Sequence, residues 1–89
     1  MKVYDFSNCD FDNEILNDEN TSVILSKKFD YKGQQESRVI VSNLKENKRL
    51  VFLINCRKVI EQTGYSDAEK ESVMNYLAEI RAELLEAVE

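Results

Sequence analysis

Histidine, tryptophan and proline are absent from this 89-residue sequence, and glycine occurs only at Gly33 and Gly64. The lack of histidine removes the commonest general base and the commonest metal ligand of proteins. Two isolated glycines cannot form a glycine-rich phosphate loop. These absences predict a protein that is not an enzyme and uses no cofactor, so we expect its function to lie in binding.

Cysteine is also scarce, since only Cys9 and Cys56 are present. A secreted domain of this size usually carries several disulfides. Two well-separated cysteines with no signal peptide before them predict reduced thiols in a cytoplasmic protein. Cys56 follows an apolar strand, which predicts a buried structural thiol. The longest apolar run, residues 50–54, has the length of a strand, so no membrane span is expected.

Charge is unevenly distributed along the chain, whose formal net charge is −5. Residues 1–21 hold one basic and six acidic residues, residues 22–58 hold nine basic and three acidic residues, and residues 59–89 hold two basic and eight acidic residues. Either the acidic ends fold back beside the basic middle, or one charged patch meets a partner of opposite charge.

The segment 7–21 contains an acidic motif, Asp10-x-Asp12-x-Glu14, that is similar to the start of a calcium-binding loop. An EF-hand needs glycine at the sixth position and glutamate at the twelfth. This sequence has Ile15 and Thr21 there. The motif therefore indicates a solvated acidic loop, and no metal site is predicted.

Hydrophobic periodicity predicts one α+β domain over residues 1–89. Period-two alternation predicts an antiparallel meander of three to four strands, with a short strand near the N terminus and the main sheet over 22–55. The acidic segment 7–21 is predicted to be a loop or a short helix. Residues 56–63 are predicted to form a short helix that Gly64 ends.

The C-terminal third has the pattern of a long amphipathic helix over residues 66–88. Ser66 and Glu69 form a capping box of the S-x-x-E type. Apolar residues then recur at spacings of four, three and four. This stripe is either the core face of a helix on a sheet or the seam of a homodimer. The residues of the stripe are Val73, Leu77, Ile80 and Leu84.

The acidic residues are the first candidates for a binding surface. They suit a small non-enzymatic protein that acts as a stoichiometric inhibitor or antagonist, of the antitoxin, immunity or phage anti-defence type. Its partner would be a basic or nucleic-acid-handling protein, and the acids could mimic the charge of a nucleic acid. The alternative is a solvated loop and helix face. The candidate residues are Asp10, Asp12, Glu14, Glu69, Glu71, Glu79, Glu83 and Glu86.

The sheet face opposite the core is the second candidate, because it mixes aliphatic and basic residues where a solvated face would be more polar. Either this face binds a partner, or the acidic segment 7–21 covers it and its acids meet the basic residues. The candidate residues are Lys28, Arg38, Ile40, Arg49 and Val51.

Two other functions remain open. One is a structural or assembly subunit that forms a homodimer through the C-terminal helix. The other is a nucleic-acid binder that uses Lys28, Arg38, Arg49, Arg57 and Lys58. Nucleic acid ranks below a protein partner because the net charge is negative. The predicted basic face also has no aromatic residue for base stacking, unless Tyr4 or Tyr31 reaches it.

Overall fold

A computed structural model describes residues 2–88. Within them, five strands form an antiparallel sheet in the order β1-β2-β5-β6-β7, and a separate hairpin, β3–β4, lies between β2 and β5 in the chain. The α+β class and the antiparallel pairing are confirmed, whereas the sheet has five strands where three to four were predicted. The elements are β1 Val3–Asp5, β2 Thr21–Ser26, β3 Phe29–Tyr31, β4 Gln34–Glu36, β5 Arg38–Asn43, β6 Lys48–Leu53, β7 Val59–Thr63, α1 Asp67–Glu79 and α2 Arg81–Ala87.

The core lies between one face of the sheet and α1. Strand alternation directs Val39 and Val41 of β5 and Phe52 of β6 to this face, and each is at most 1% exposed. From the helix, Val73 and Leu77 enter the same cluster and are 0% exposed. Burial of a side chain of this size contributes about 1.5–3 kcal/mol, so this layer holds sheet and helix together.

The capping box is confirmed, but the single long helix is wrong. Ser66 Oγ accepts a hydrogen bond from the backbone N–H of Glu69 at 3.1 Å, and the Ser66 N–H donates to Glu69 Oε1 at 2.9 Å. The helix ends at Glu79, because Ile80 has φ −100° and ψ 15°. A second helix, α2, follows, and its Leu84 joins the same core. Apolar residues of both helices, on either side of the break at Ile80, thus belong to one cluster.

The short helix predicted over 56–63 is also wrong. A turn follows β6, and Arg57 takes a left-handed conformation with φ 62°. The chain then returns as β7, in which Val59 pairs with Phe52 and Thr63 pairs with Arg49. Residues 59–63 include three β-branched residues, which favour a strand, and the open edge of β6 provides the partner.

The acidic segment between β1 and β2 is a loop, residues 6–20, with neither helix nor strand. Short side chains fix its turns: Asn13 Oδ1 accepts from the N–H of Ile15 at 3.0 Å, and Asp18 Oδ1 accepts from the N–H of Asn20 at 2.8 Å. The loop packs on the helix side of the sheet, so the expectation that it covers the opposite face is wrong. It does so through two buried core residues, Phe11 and Leu16.

A pair of glycine substitutions tests how closely the turns are packed. Both glycines have positive φ, 82° at Gly33 and 77° at Gly64. A Cβ on Gly64 would lie 2.7 Å from Lys48 Cγ, whereas a Cβ on Gly33 meets nothing within 4 Å. We expect Gly33→Ala to lower the free energy of unfolding by about 1–2 kcal/mol and Gly64→Ala to lower it by more. Urea denaturation of the two variants checks this, and equal losses would contradict the close approach of Lys48.

Candidate functional site

The acidic loop is held against α1 by contacts far apart in sequence. The Asp12 N–H donates to Tyr76 Oη at 3.0 Å, and Asn13 Nδ2 donates to Ser72 Oγ at 3.4 Å. The rings of Phe11 and Tyr76 meet edge to face, with centroids 6.3 Å apart. The loop is therefore a fixed part of the fold, and its exposed acids lie beside the helix.

The eight acidic candidates divide into two groups. Glu69 Oε2 lies 3.8 Å from Lys48 Nζ, and Glu71 Oε1 lies 3.7 Å from Lys70 Nζ, so these two carboxylates are paired internally. The other six are exposed and form no ion pair with another residue of 2–88. We call these six the acidic surface: Asp10, Asp12, Glu14, Glu79, Glu83 and Glu86.

A cleft of about 160 Å³ lies where the N terminus of α1 meets the β5–β6 turn. A hydrogen bond to Glu46, 3.2 Å away, raises the pKa of Lys48 above its usual value. Conversely, a hydrogen bond from the Ser66 backbone lowers the pKa of Glu69. Lys48 of β6 thus pairs with Glu46 of the β5–β6 turn and with Glu69 of α1, and these ion pairs join the helix to the sheet. The cleft is lined by Ile15, Asp18, Thr21, Asn43, Glu46, Lys48, Tyr65 and Glu69.

Tyr65 is the buried aromatic residue of this cleft, at 5% exposed. Its hydroxyl has no hydrogen-bond partner in the described part of the chain. Burial raises the pKa of Tyr65, although the nearby Lys48 ammonium opposes the shift. Burial of this hydroxyl without a partner therefore lowers the free energy of unfolding.

The predicted sheet-face residues do not form one basic surface. Ile40 lies directly opposite Val51 in the register, but Val51 is only 4% exposed and offers little to a partner. Arg49 Nε lies 3.1 Å from Glu61 Oε2 of β7, which neutralises it. The middle of this face is therefore apolar, and its charge is balanced at the β7 side.

The two other sheet-face candidates lie at one end of the sheet. Arg38 begins β5 and its guanidinium lies 5.9 Å from the ring centroid of Phe29. Lys28 lies in the short link between β2 and β3. Both belong to the end of the molecule where the β3–β4 hairpin lies.

The four predicted dimer residues all face the core of their own chain. Val73 and Leu77 are 0% exposed and Leu84 is 7% exposed, while Ile80 is half-buried against the same cluster. A second chain could not reach Val73 and Leu77 without opening the core. Homodimerisation through this stripe stays a prediction, and the burial of these side chains does not favour it.

Glu36 is a central residue that the sequence analysis did not single out. Its carboxylate is 1% exposed and accepts backbone hydrogen bonds from Asn55 and Cys56, each at 2.8 Å. A buried carboxylate is tolerated when backbone N–H groups satisfy it in this way. Glu36 therefore ties the β3–β4 hairpin to the β6–β7 turn. No local pattern marks it, because its partners lie about twenty residues away.

The thiols differ from the prediction at one position. Cys9 and Cys56 are both free and exposed, so the expected burial of Cys56 is wrong, because the residue lies in the turn after β6 and not in the strand.

Across residues 2–88 no three histidine, cysteine, aspartate or glutamate side chains group together as metal ligands. No helix of the described chain has the length and apolar character to cross a membrane.

Comparison of the chain with protein-family models, curated proteins and solved structures finds no match.

The two tyrosines Tyr65 and Tyr76 provide a matched test of the site's packing. Tyr65→Phe removes an unpartnered hydroxyl, so we expect the free energy of unfolding to stay the same or to rise. Tyr76→Phe removes the bond to the Asp12 N–H, so we expect a loss of about 0.5–1.5 kcal/mol. Urea denaturation at neutral pH measures both values, and a larger loss for Tyr65→Phe would contradict the assignment.

The same variants test the pH dependence. Because the pKa of Tyr65 is raised in the folded state, its contribution is complete below the unfolded value of about 10 and is lost as the pH rises further. We expect the wild type to lose stability above that pH more steeply than Tyr65→Phe. Tyr76→Phe is the control and should keep the steep profile. Superimposable profiles for wild type and Tyr65→Phe would contradict this.

Substitution of Glu36 tests the link between hairpin and turn. Glu36→Gln places an amide NH₂ against one of the backbone donors, so we expect a loss of about 1–3 kcal/mol in the free energy of unfolding. Glu61→Gln is the control, because Glu61 is the exposed ion-pair partner of Arg49. It should lower the free energy of unfolding by less than about 1 kcal/mol. Equal losses in urea denaturation would show that Glu36 does not carry this link.

Proposed function

We propose that this chain is a small, non-enzymatic, cytoplasmic protein-binding domain that inhibits or antagonises another protein through its acidic surface. The observation that carries the proposal is the ordered loop 6–20. Loops longer than about 12–15 residues without secondary structure are uncommon in compact domains and are usually functional when they are ordered. Here the loop is clamped to α1 through Tyr76 and Ser72 while its acids remain exposed.

The unpaired state of the acidic surface supports a basic partner. Glu69 and Glu71 already have lysine partners within the chain. The six carboxylates of the acidic surface have none among residues 2–88, so their potential is directed outward. Such a potential steers an oppositely charged protein into contact and raises the association rate.

A fixed scaffold also suits a mimic of nucleic-acid charge. A basic groove that binds phosphates through lysine and arginine gains affinity from counterion release, and carboxylates held at fixed positions can occupy such a groove in the same way. Antitoxin, immunity and phage anti-defence proteins are the types of inhibitor that this mechanism would suit. The proposed partner is accordingly a nucleic-acid-handling protein with a basic binding groove.

The test begins with capture of the partner. The tagged protein is incubated with nuclease-treated lysate of its source, and bound proteins are identified by mass spectrometry. Surface plasmon resonance then measures the partner against two triple charge reversals, one in the loop and one in the helices. We expect at least one of them to slow association by about tenfold or more. The two variants are Asp10→Lys/Asp12→Lys/Glu14→Lys and Glu79→Lys/Glu83→Lys/Glu86→Lys.

A third variant with the same change in net charge separates local contact from overall charge. It reverses exposed acids of β1, of β3 and of the first turn of α1, outside the acidic surface and without disturbing the ion pairs of Lys48 and Arg49, and should bind as the wild type does. If both acidic-surface variants bind the partner with wild-type kinetics, the proposal fails. Addition of a DNA or RNA ligand of the partner should displace the protein if the mechanism is charge mimicry. The control variant is Asp5→Lys/Asp30→Lys/Asp67→Lys.

A further inference from the structure

A second charged surface lies at the end of the molecule where the β3–β4 hairpin meets the β6–β7 turn. Lys58 Nζ donates a hydrogen bond to Tyr31 Oη at 3.2 Å and lies 5.9 Å from the centroid of the Tyr31 ring. Lys32 Nζ lies 5.5 Å from the same centroid. An aromatic ring and two ammonium groups are thus brought together from two elements that are far apart in the sequence.

The neighbouring strand extends this arrangement. Arg38 at the start of β5 lies over the ring of Phe29, 5.9 Å from its centroid. Phe29 and Tyr31 belong to the same short strand, β3, and are both partly exposed. We call Phe29, Tyr31, Lys32, Arg38 and Lys58 the hairpin patch.

Two turns at this end of the molecule keep basic residues in an unfavourable conformation. Lys32 has φ 52° and precedes Gly33 at φ 82°, a two-residue turn with positive φ at both positions. Asparagine or glycine is the preferred residue at the first of these positions. Arg57, beside Lys58, has φ 62°. The β5–β6 turn lies at the other end of β5 and β6. Its residue with positive φ is Asn47, at φ 57°, and asparagine tolerates this conformation better than lysine or arginine.

Backbone strain of this kind concentrates at functional sites. In the chain described here, the non-glycine residues with positive φ are Lys32, Asn47 and Arg57. Lys32 belongs to the hairpin patch, and Arg57 precedes Lys58 but donates from its guanidinium to Asn75 Oδ1 of α1 at 2.6 Å. The turn away from the patch has Asn47, a residue that fits its conformation. The positive charge of Lys32 at the hairpin patch is therefore kept at a cost in stability.

We propose that the hairpin patch binds single-stranded nucleic acid. An aromatic ring beside cations is the arrangement by which proteins bind single strands, since the ring stacks on a base and the cations contact phosphates. Tyr31 would stack on one unpaired base. The cations for the phosphates would be Lys32, Arg38 and Lys58.

The fold supports a single strand over a duplex. The site is formed by a short hairpin and a turn, with no helix that could enter a major groove. A stacking residue also needs a base that is not already stacked in a duplex. The buried Glu36 carboxylate, which joins hairpin and turn, holds the two halves of the site in register. The proposal does not depend on the acidic surface or its protein partner.

The test is fluorescence anisotropy of labelled oligo(dT) and oligo(rU) of about 12 nucleotides, a length within the site sizes of single-strand binders. The full-length protein is titrated between about 50 and 200 mM salt. With three phosphate contacts, the logarithm of the association constant should fall by about two for a tenfold rise in salt. No change in anisotropy for either oligonucleotide at the lowest salt would overturn the proposal.

Lys32→Asn is the most informative variant, because it should change stability and binding in opposite directions. Asparagine relieves the strain at φ 52°, so we expect a higher melting temperature. Loss of one cation should weaken binding several-fold and reduce the salt slope by about 0.7. Lys45→Asn removes the same charge in the β5–β6 turn, away from the hairpin patch, and is the matched control. If Lys45→Asn weakens binding as much as Lys32→Asn, the site is not the hairpin patch.

Tyr31→Leu tests the stacking contact while keeping an apolar side chain at this position. We expect a loss of about fivefold or more in affinity, the effect of removing one stacked base. Poly-L-glutamate of similar length serves as a competitor that offers charge without bases, and it should displace the oligonucleotide poorly. Unchanged affinity in Tyr31→Leu, or full displacement by poly-L-glutamate, would show an unspecific anion site and overturn the assignment to nucleic acid.

Discussion

Burial of one sheet face against α1 is the constraint on which the other features of this protein depend. Val39, Val41 and Phe52 meet Val73 and Leu77 in a layer that excludes water. Because this layer fixes the position of α1, it also places Tyr76 where the loop 6–20 can attach to it. The apolar contact is thus responsible for the order of a polar, acidic loop that has no regular secondary structure of its own.

The uneven charge of the sequence becomes a spatial separation in the fold. Part of it is compensated within the chain, since Lys48 balances Glu46 and Glu69 and Arg49 balances Glu61. The acidic surface lies in the loop 6–20 and the two helices, whereas Lys32, Arg38 and Lys58 are grouped at the β3–β4 hairpin. Other basic residues, such as Lys45 and Arg81, lie elsewhere on the molecule. A chain of net charge −5 can therefore present surfaces of both signs.

Departures from local preference concentrate at the end of the molecule that carries the hairpin patch. A buried carboxylate, Glu36, lies there and accepts hydrogen bonds from backbone donors. Lys32 and Arg57 are in left-handed conformations that their side chains disfavour. The Ser66 capping box and the Asn47 turn agree with local rules, whereas the unpartnered hydroxyl of Tyr65 is an exception outside this end of the molecule. Departures from local rules that group at one place are expected of a functional site.

The sequence by itself determined the α+β class, the strand alternation and the start of α1, because these depend on patterns within a few residues. The end of α1 before Ile80 and the strand β7 were decided only by tertiary packing. A short segment such as 59–63, with two apolar residues followed by polar ones, has too few residues to show a helical or a strand period until its partner is known. The acidic residues could be named in advance, but which of them lack a cation depended on where Lys48 and Lys70 lie. The hairpin patch joins residues 29–38 to residue 58, and no local pattern can encode a contact between segments that only the folded chain brings together.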